Sequence, residues 1–192
     1  MNNFDTNLFL ALNGDGGNLL DWLMQLISGR ATWIPLYLLI VWLVMRRNGW
    51  KYALWMVAFV ALGIVLCDQT CNLLKDGVRF LRPTHTAALE GLVHTVDGYR
   101  GGLYGTASAH AGNSLVVLLI STAALNKRTY IICMVVWLAA VSYSRIYLGV
   151  HFPSQILLGL TLGTIYGLSL KAIFKHLAAR KGWSETSSSK IS

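Results

Sequence analysis

Residues 51–75 read KYALWMVAFVALGIVLCDQTCNLLK, an apolar run that closes on Asp68, Asn72 and Lys75. A bilayer core about 30 Å thick takes about 20 helical residues, so this stretch is long enough to span it. Working outward, 107–125, 128–146 and 153–175 are apolar blocks of the same kind. A fifth block, Thr32 to Met45, is short and must begin nearer Arg30 or tilt little. Asn18 to Ile27 (NLLDWLMQLI) is too brief to span and carries Asp21, which predicts an interfacial amphipathic helix. The fold class is therefore all-α, a transmembrane bundle of five to six helices with an interfacial N-terminal helix.

Composition agrees with that pattern. Of the 192 residues 55% are hydrophobic and 12% charged, and mean hydropathy is +0.53, which an ordinary soluble domain does not tolerate. Length leaves room for one membrane domain, 1–181, and a polar, disordered tail, 182–192. The N-terminus carries Asp5 and lacks the basic region of a secretory signal, so it is expected to stay on the mature protein. Cys67 and Cys71 sit four apart in an apolar helix and read as buried packing thiols. The formal net charge of +8 does not mark a nucleic-acid binder, because the basic residues are scattered between hydrophobic blocks. Arg46, Arg47 and Lys51, then Lys127 and Arg128, then Lys171, Lys175, Arg180 and Lys181 flank turns on one side, which the positive-inside rule makes cytoplasmic. The opposite side nonetheless holds Lys75, Arg79, Arg82, Arg100 and Arg145. An anionic partner would explain them.

Three clusters on that side carry chemistry. Lys75, Arg79 and Arg82 are spaced to line one face if the helix continues to Pro83, though Gly77 interrupts it. Taken alone they also fit as snorkelling interface anchors. Gly105-Thr106-Ala107-Ser108-Ala109-His110 opens an apolar helix, where small residues and first-turn N–H groups suit a phosphate. Alone, that segment also fits a Ser or Thr cap with His110 in the core. Ser144-Arg145, five residues, then His151-Phe152-Pro153-Ser154-Gln155 brings a guanidinium and an imidazole to one rim. An intramembrane Arg is a functional candidate by default.

Together these clusters resemble the three-part signature of the type 2 phosphatidic acid phosphatase family, written K-x6-R-P, P-S-G-H and S-R-x5-H-x3-D. The match lies on Lys75, Arg82 and Pro83, on Ser108 and His110, and on Ser144, Arg145 and His151. Ala107 stands for the family's Pro, Ala109 for its Gly and Gln155 for its orienting Asp. The resemblance implies a membrane lipid phosphatase acting through a phosphohistidine. Lys75, Arg82, Arg145, Ser108 and the Ala109 backbone would bind the substrate phosphate, His151 would attack it, His110 would protonate the leaving oxygen and Gln155 would orient His151. No metal and no cofactor is implied. The partners are a lipid phosphate and the bilayer, not nucleic acid.

The implied setting is a bacterial inner membrane with the site facing the periplasm or exterior. Undecaprenyl diphosphate or a lipid A phosphate is favoured there, with phosphatidylglycerophosphate or phosphatidic acid as further candidates. The alternatives are a lipid-phosphate-binding or transport protein that has lost turnover through Gln155, and a small anion channel. His85 and His94 read as loop residues and His176 as part of the basic cytoplasmic end; Asp68 reads as either a functional carboxylate or a bundle hydrogen-bond partner.

Overall fold

The computed structural model describes residues 3–183, and residues 1–2 and 184–192 lie outside it. The elements are α1 (Asn3–Leu12), α2 (Asn18–Ser28), a 3-10 turn (Ala31–Trp33), α3 (Ile34–Asn48), α4 (Trp50–Val78), α5 (Ala109–Ser121), α6 (Arg128–Tyr147) and α7 (Pro153–Arg180). Among the described residues the only strand-like pairing is an isolated bridge between Leu81 and Tyr104. α4, α6 and α7 are each long and apolar enough to cross a membrane; α2 with the 31–48 segment reaches that length only as a pair bent by 74°, the shape of a broken span or a re-entrant loop. The chain is an integral membrane protein. α3 to α7 are the five apolar blocks and α2 is the short amphipathic segment; α1 has no counterpart in the sequence reading. α5 is shorter than the expected 107–125, because backbone turns take over at Thr122.

Glycine decides how the centre packs. Gly159 and Gly163 of α7 sit where a Cβ would fall 2.3 Å from the Ser108 carbonyl oxygen and 2.5 Å from that of Gly112. Only hydrogen fits there, so α5 and α7 meet backbone to backbone, the small-residue route to helix association where lipid offers no hydrophobic drive. α4 closes the other side of α5, burying Met56, Cys67 and Cys71 against Val116, Val117 and Ile120. Outside this core Trp42, Leu54, Leu62, Val65, Val136, Leu157 and Ile165 are exposed, as a lipid-facing surface requires.

The alternating helix directions separate two ends. At one, Tyr52 donates to the Ala123 carbonyl (3.3 Å), Lys171 donates to Thr122 (2.8 Å) and Lys181 lies over Trp55 (4.8 Å). This is the basic end. Trp183, expected in the polar tail, instead packs edge-on against Trp55 with centroids 6.1 Å apart. The rest of the expected tail lies outside the described residues. At the other end meet the C-termini of α4 and α6 and the N-termini of α5 and α7, which is where the three sequence clusters come together.

Candidate active site

The spacing from Arg145 to His151 is set by how α6 stops. Val150 N–H bonds the Arg145 carbonyl (3.1 Å) and Gly149 N–H bonds the Ile146 carbonyl (2.9 Å), the paired bonds of a Schellman end. Gly149 takes φ of 72°, the left-handed conformation such an end needs. The chain then reverses at once, and Pro153 stands in the first turn of α7, where a missing N–H costs nothing. Arg145 and His151 are thereby held on one rim.

Arg82 reaches the same rim differently from the sequence expectation. α4 ends at Val78, and Arg79 adopts the left-handed cap with φ of 54° and faces outward. Lys75, Arg79 and Arg82 therefore do not form one helical stripe, as the Gly77 interruption allowed. Arg82 instead returns on an extended segment paired with 103–105, through Arg82 N–H to Leu103 O (3.1 Å) and Gly105 N–H to Phe80 O (2.8 Å). Its guanidinium then donates to the carbonyls of Tyr104 (Nε, 3.1 Å) and Val150 (Nη1, 2.8 Å). A Cβ on Gly105 would meet Arg82 Cγ at 2.7 Å and Gln155 Oε1 at 2.8 Å. The glycine leaves room for the site.

His151 is 2% exposed and its tautomer follows from its neighbours. Nδ1 lies 2.9 Å from Gln155 Oε1 and 3.1 Å from the Gly105 carbonyl oxygen. Gln155 cannot turn its amide round without loss, because Phe152 N–H donates to Oε1 (3.3 Å) and the Leu81 carbonyl accepts from Nε2 (3.3 Å). Nδ1 thus faces two acceptors and carries the proton. Nε2 keeps its lone pair, with Arg82 Nη1 at 3.3 Å. Burial, then the Arg82 and Arg145 charges, push the imidazole well below its ordinary 6.5, against a smaller opposing effect of the Gln155 bond.

Around this histidine the cations lack acids. Arg82 and Arg145 are 9% and 5% exposed, and the ion pair found among the described residues, His94 with Asp21, involves neither. Burying a cation without a counter-charge costs several kcal/mol even after relaxation, so an anion is the natural complement. Arg145 is held by Ser28 Oγ and, at 3.5 Å, by Tyr99 Oη, while its Nε is buried without a partner. Ser108 Oγ is likewise buried and unpartnered, and no side chain caps the start of α5. Ala109 supplies a first-turn backbone, and Ser108 N–H is spent on the Gln155 carbonyl (2.9 Å). Lys75 Nζ donates to Asn72 (3.2 Å), and its charge reaches His151.

His110 and Arg145 line a cavity of about 410 Å³ with Gln25, Ser28, Arg30 and Tyr99. A second, of about 180 Å³, shares Ser28, Arg30 and His110 and runs past Asp68 and Asn113 to Tyr37, Ile64 and Val117. A third, of about 280 Å³, shares those last three and is otherwise walled by residues such as Ile40, Met56 and Val60. A polar mouth thus leads into an apolar interior. A larger cavity, about 510 Å³, lies among loop residues 83–103 and includes no predicted site residue except the motif's Pro83. Asp68 accepts from Asn72 (3.3 Å) and Asp97 from Gln25 (2.9 Å), and neither bonds His151. His94 is a loop residue, as expected, and bonds Asp21 (2.9 Å). Sequence reasoning missed Ser28, Tyr99 and the Gly105 carbonyl as partners of Arg145 and His151. Gly105 had a signal in its small-residue run; the other two had none.

Fold and site define a class, a membrane protein with a cationic rim between helix ends whose buried arginines have no acidic partner among the described residues. The chain belongs to the PAP2 superfamily, whose profile matches residues 50–178. It is 35% identical over 182 residues to the lipid A 4'-phosphatase of Bacteroides thetaiotaomicron, covering 94% of this chain and 81% of that protein. It is also 35% identical to the lipid A 4'-phosphatase of Porphyromonas gingivalis, over 93% of this chain and 75% of the other. The fold is similar to the crystal structure of a transmembrane PAP2 type phosphatidylglycerolphosphate phosphatase from Bacillus subtilis, with a TM-score of 0.67 at 20% identity over 91% of this chain and 86% of that one. The protein is a membrane lipid phosphatase.

Proposed function

We propose that the chain removes a phosphate from lipid A by a metal-independent, two-step transfer through His151. The observation that carries the mechanism is the fixed tautomer: Nδ1–H is tied to Gln155 and Gly105, so the Nε2 lone pair is the nucleophile. Nε2 attacks phosphorus and forms an N–P bond as the P–O bond to the sugar breaks. His110, on the wall of the 410 Å³ cavity, gives its proton to the leaving oxygen. It then takes a proton from the water that cleaves the phosphohistidine, releasing inorganic phosphate and restoring both histidines. Arg82, Arg145, Lys75, Ser108 and the Ala109 backbone hold the phosphoryl oxygens. Each donor placed on developing charge is worth about 3 kcal/mol. Attack requires the Arg82–Nε2 contact to open, and a phosphate accepting from Arg82 supplies the replacement bond.

The substrate reading draws on the lipid A 4'-phosphatase relatives and on the polar mouth that leads into apolar cavities, as a phosphorylated lipid needs. Metal independence follows from the fixed cations, which do the charge stabilisation of phosphoryl transfer and would repel a divalent ion. Asp15, Asp21 and His94, the group of metal-ligating side chains found among the described residues, includes no site residue. The basic helix end supports a cytoplasmic placement for Arg46 and Lys127 and an exterior-facing site in an inner membrane. Phosphate release from a panel of purified lipids in detergent tests the assignment. Lipid A is expected to be turned over at a rate that EDTA leaves nearly unchanged. Loss of all activity in EDTA, restored by Mg²⁺ or Zn²⁺, would refute the metal-free mechanism.

A further inference from the structure

Arg30 belongs to none of the signature motifs, yet the bend between α2 and α3 carries it to the site. It lines both the 410 Å³ polar cavity and the 180 Å³ cavity beside it, in each case together with His110. Arg30 is exposed, and among the described residues it has neither an ion pair nor a hydrogen bond. In the larger cavity it shares the wall with Tyr99 as well. The bend thus serves the site twice: Ser28 steadies Arg145, and Arg30, two residues on, remains unengaged.

Arg30 sits on the His110 side of the site: it lines both cavities with His110 and only the larger one with Arg145. Lys75, Arg82 and His151 line neither of these cavities. Arg30 instead shares its walls with His110, the proton donor to the leaving oxygen. A group attached to that oxygen and lying in either cavity comes within reach of Arg30. Nearby, Gln25 spends its amide N–H on Asp97 (2.9 Å), which leaves its carbonyl oxygen to accept, and the Tyr99 hydroxyl can donate. Two donors and an acceptor at the point where polar wall gives way to apolar wall match a sugar bearing hydroxyls and acyl carbonyls. A plain hydrocarbon chain would gain nothing from them.

We propose that Arg30 is a specificity-determining residue that donates to the oxygen acceptors of the acylated sugar on the leaving side of the phosphate. The proposal rests on the lipid A reading above. Its test pairs two measurements on one purified protein in detergent: KM and kcat for lipid A, and the inhibition constant of inorganic phosphate, which reports the cradle alone. Arg30→Ala is expected to raise KM for lipid A at least about tenfold, the scale of a lost charge-assisted hydrogen bond, while kcat falls far less. Phosphate inhibition should stay within about twofold of the parent, the scatter expected of a surface substitution. Arg30→Lys should recover part of the affinity, which a loss of local packing would not. Equal weakening of lipid A and phosphate would make Arg30 one more phosphate cation and overturn the proposal, as would an unchanged KM. A parent protein that hydrolyses phosphatidic acid but not lipid A would overturn the substrate reading first, and this inference with it.

Discussion

His151 Nδ1 has two oxygen acceptors and Nε2 has none, so the ring presents the Nε2 lone pair that the proposed reaction uses, and Gln155 is the adjustable part of that arrangement. An Asp at position 155 would add a full charge opposite the imidazolium; Gln offers a dipole, and its orientation is secured by Phe152 N–H and Leu81 O. Gln155→Asp is therefore expected to keep or raise kcat, and Gln155→Leu to lower it at least about tenfold, the scale of a lost orienting partner. Parental activity in Gln155→Leu would show that the Gly105 carbonyl alone fixes the ring. The depressed His151 pKa has a sign that can be checked. Because the ring stays neutral as pH falls past 6.5, the free enzyme should retain its Nδ1–H tautomer at pH 6, read by ¹⁵N NMR of labelled histidine in detergent. A His151 that titrates at or above 6.5 would contradict the burial and charge argument. Since the unfolded chain binds that proton more readily, folding stability should also fall as pH drops below about 6.5.

Among the elements, the end of α6 and the face of α7 are what the site depends on, and the sequence showed the first better than the second. A Gly placed four residues after Arg145 is a local stop signal, so the rim shared by Arg145 and His151 was legible. The same locality left α4 open: the spacing of Lys75, Arg79 and Arg82 fitted one face only if the helix continued past Gly77, and the chain turns after Val78. Gly159 and Gly163 are spaced by four on α7, a pattern that shows helix contact only once the partner is known to be α5. Gly163→Val would drive a side chain into the Gly112 backbone, 2.5 Å from its carbonyl oxygen. Overpacking of this kind costs about 1–3 kcal/mol or more, so the variant should unfold at a lower temperature in detergent and lose activity in step. Unchanged stability would mean that α5 and α7 can separate without harm.

For the molecule as a whole, a broken α2–α3 segment closes over a bundle whose basic end and cationic site lie at opposite poles. That polarity was readable from the short loops, because charge placement at helix ends is a local property of the chain. The contacts that complete the site were not readable. Ser28 and Arg145 meet across 117 residues, and no periodicity encodes a loop that folds back over a rim. The orientation can be tested by single-cysteine labelling from outside intact spheroplasts, which is expected to reach position 100 and spare position 127. Labelling at 127 alone would turn the site toward the cytoplasm and remove exterior lipids as substrates. The claim that joins all three scales is that His151 transfers a phosphate from lipid A, and mass spectrometry of lipid A incubated with purified protein in EDTA measures it directly. The parent should yield lipid A lacking one phosphate together with a phosphohistidine at position 151 after rapid quenching, and His151→Ala should yield neither. Intact lipid A after incubation with a folded parent protein, or equal phosphate loss with His151→Ala, would contradict the account.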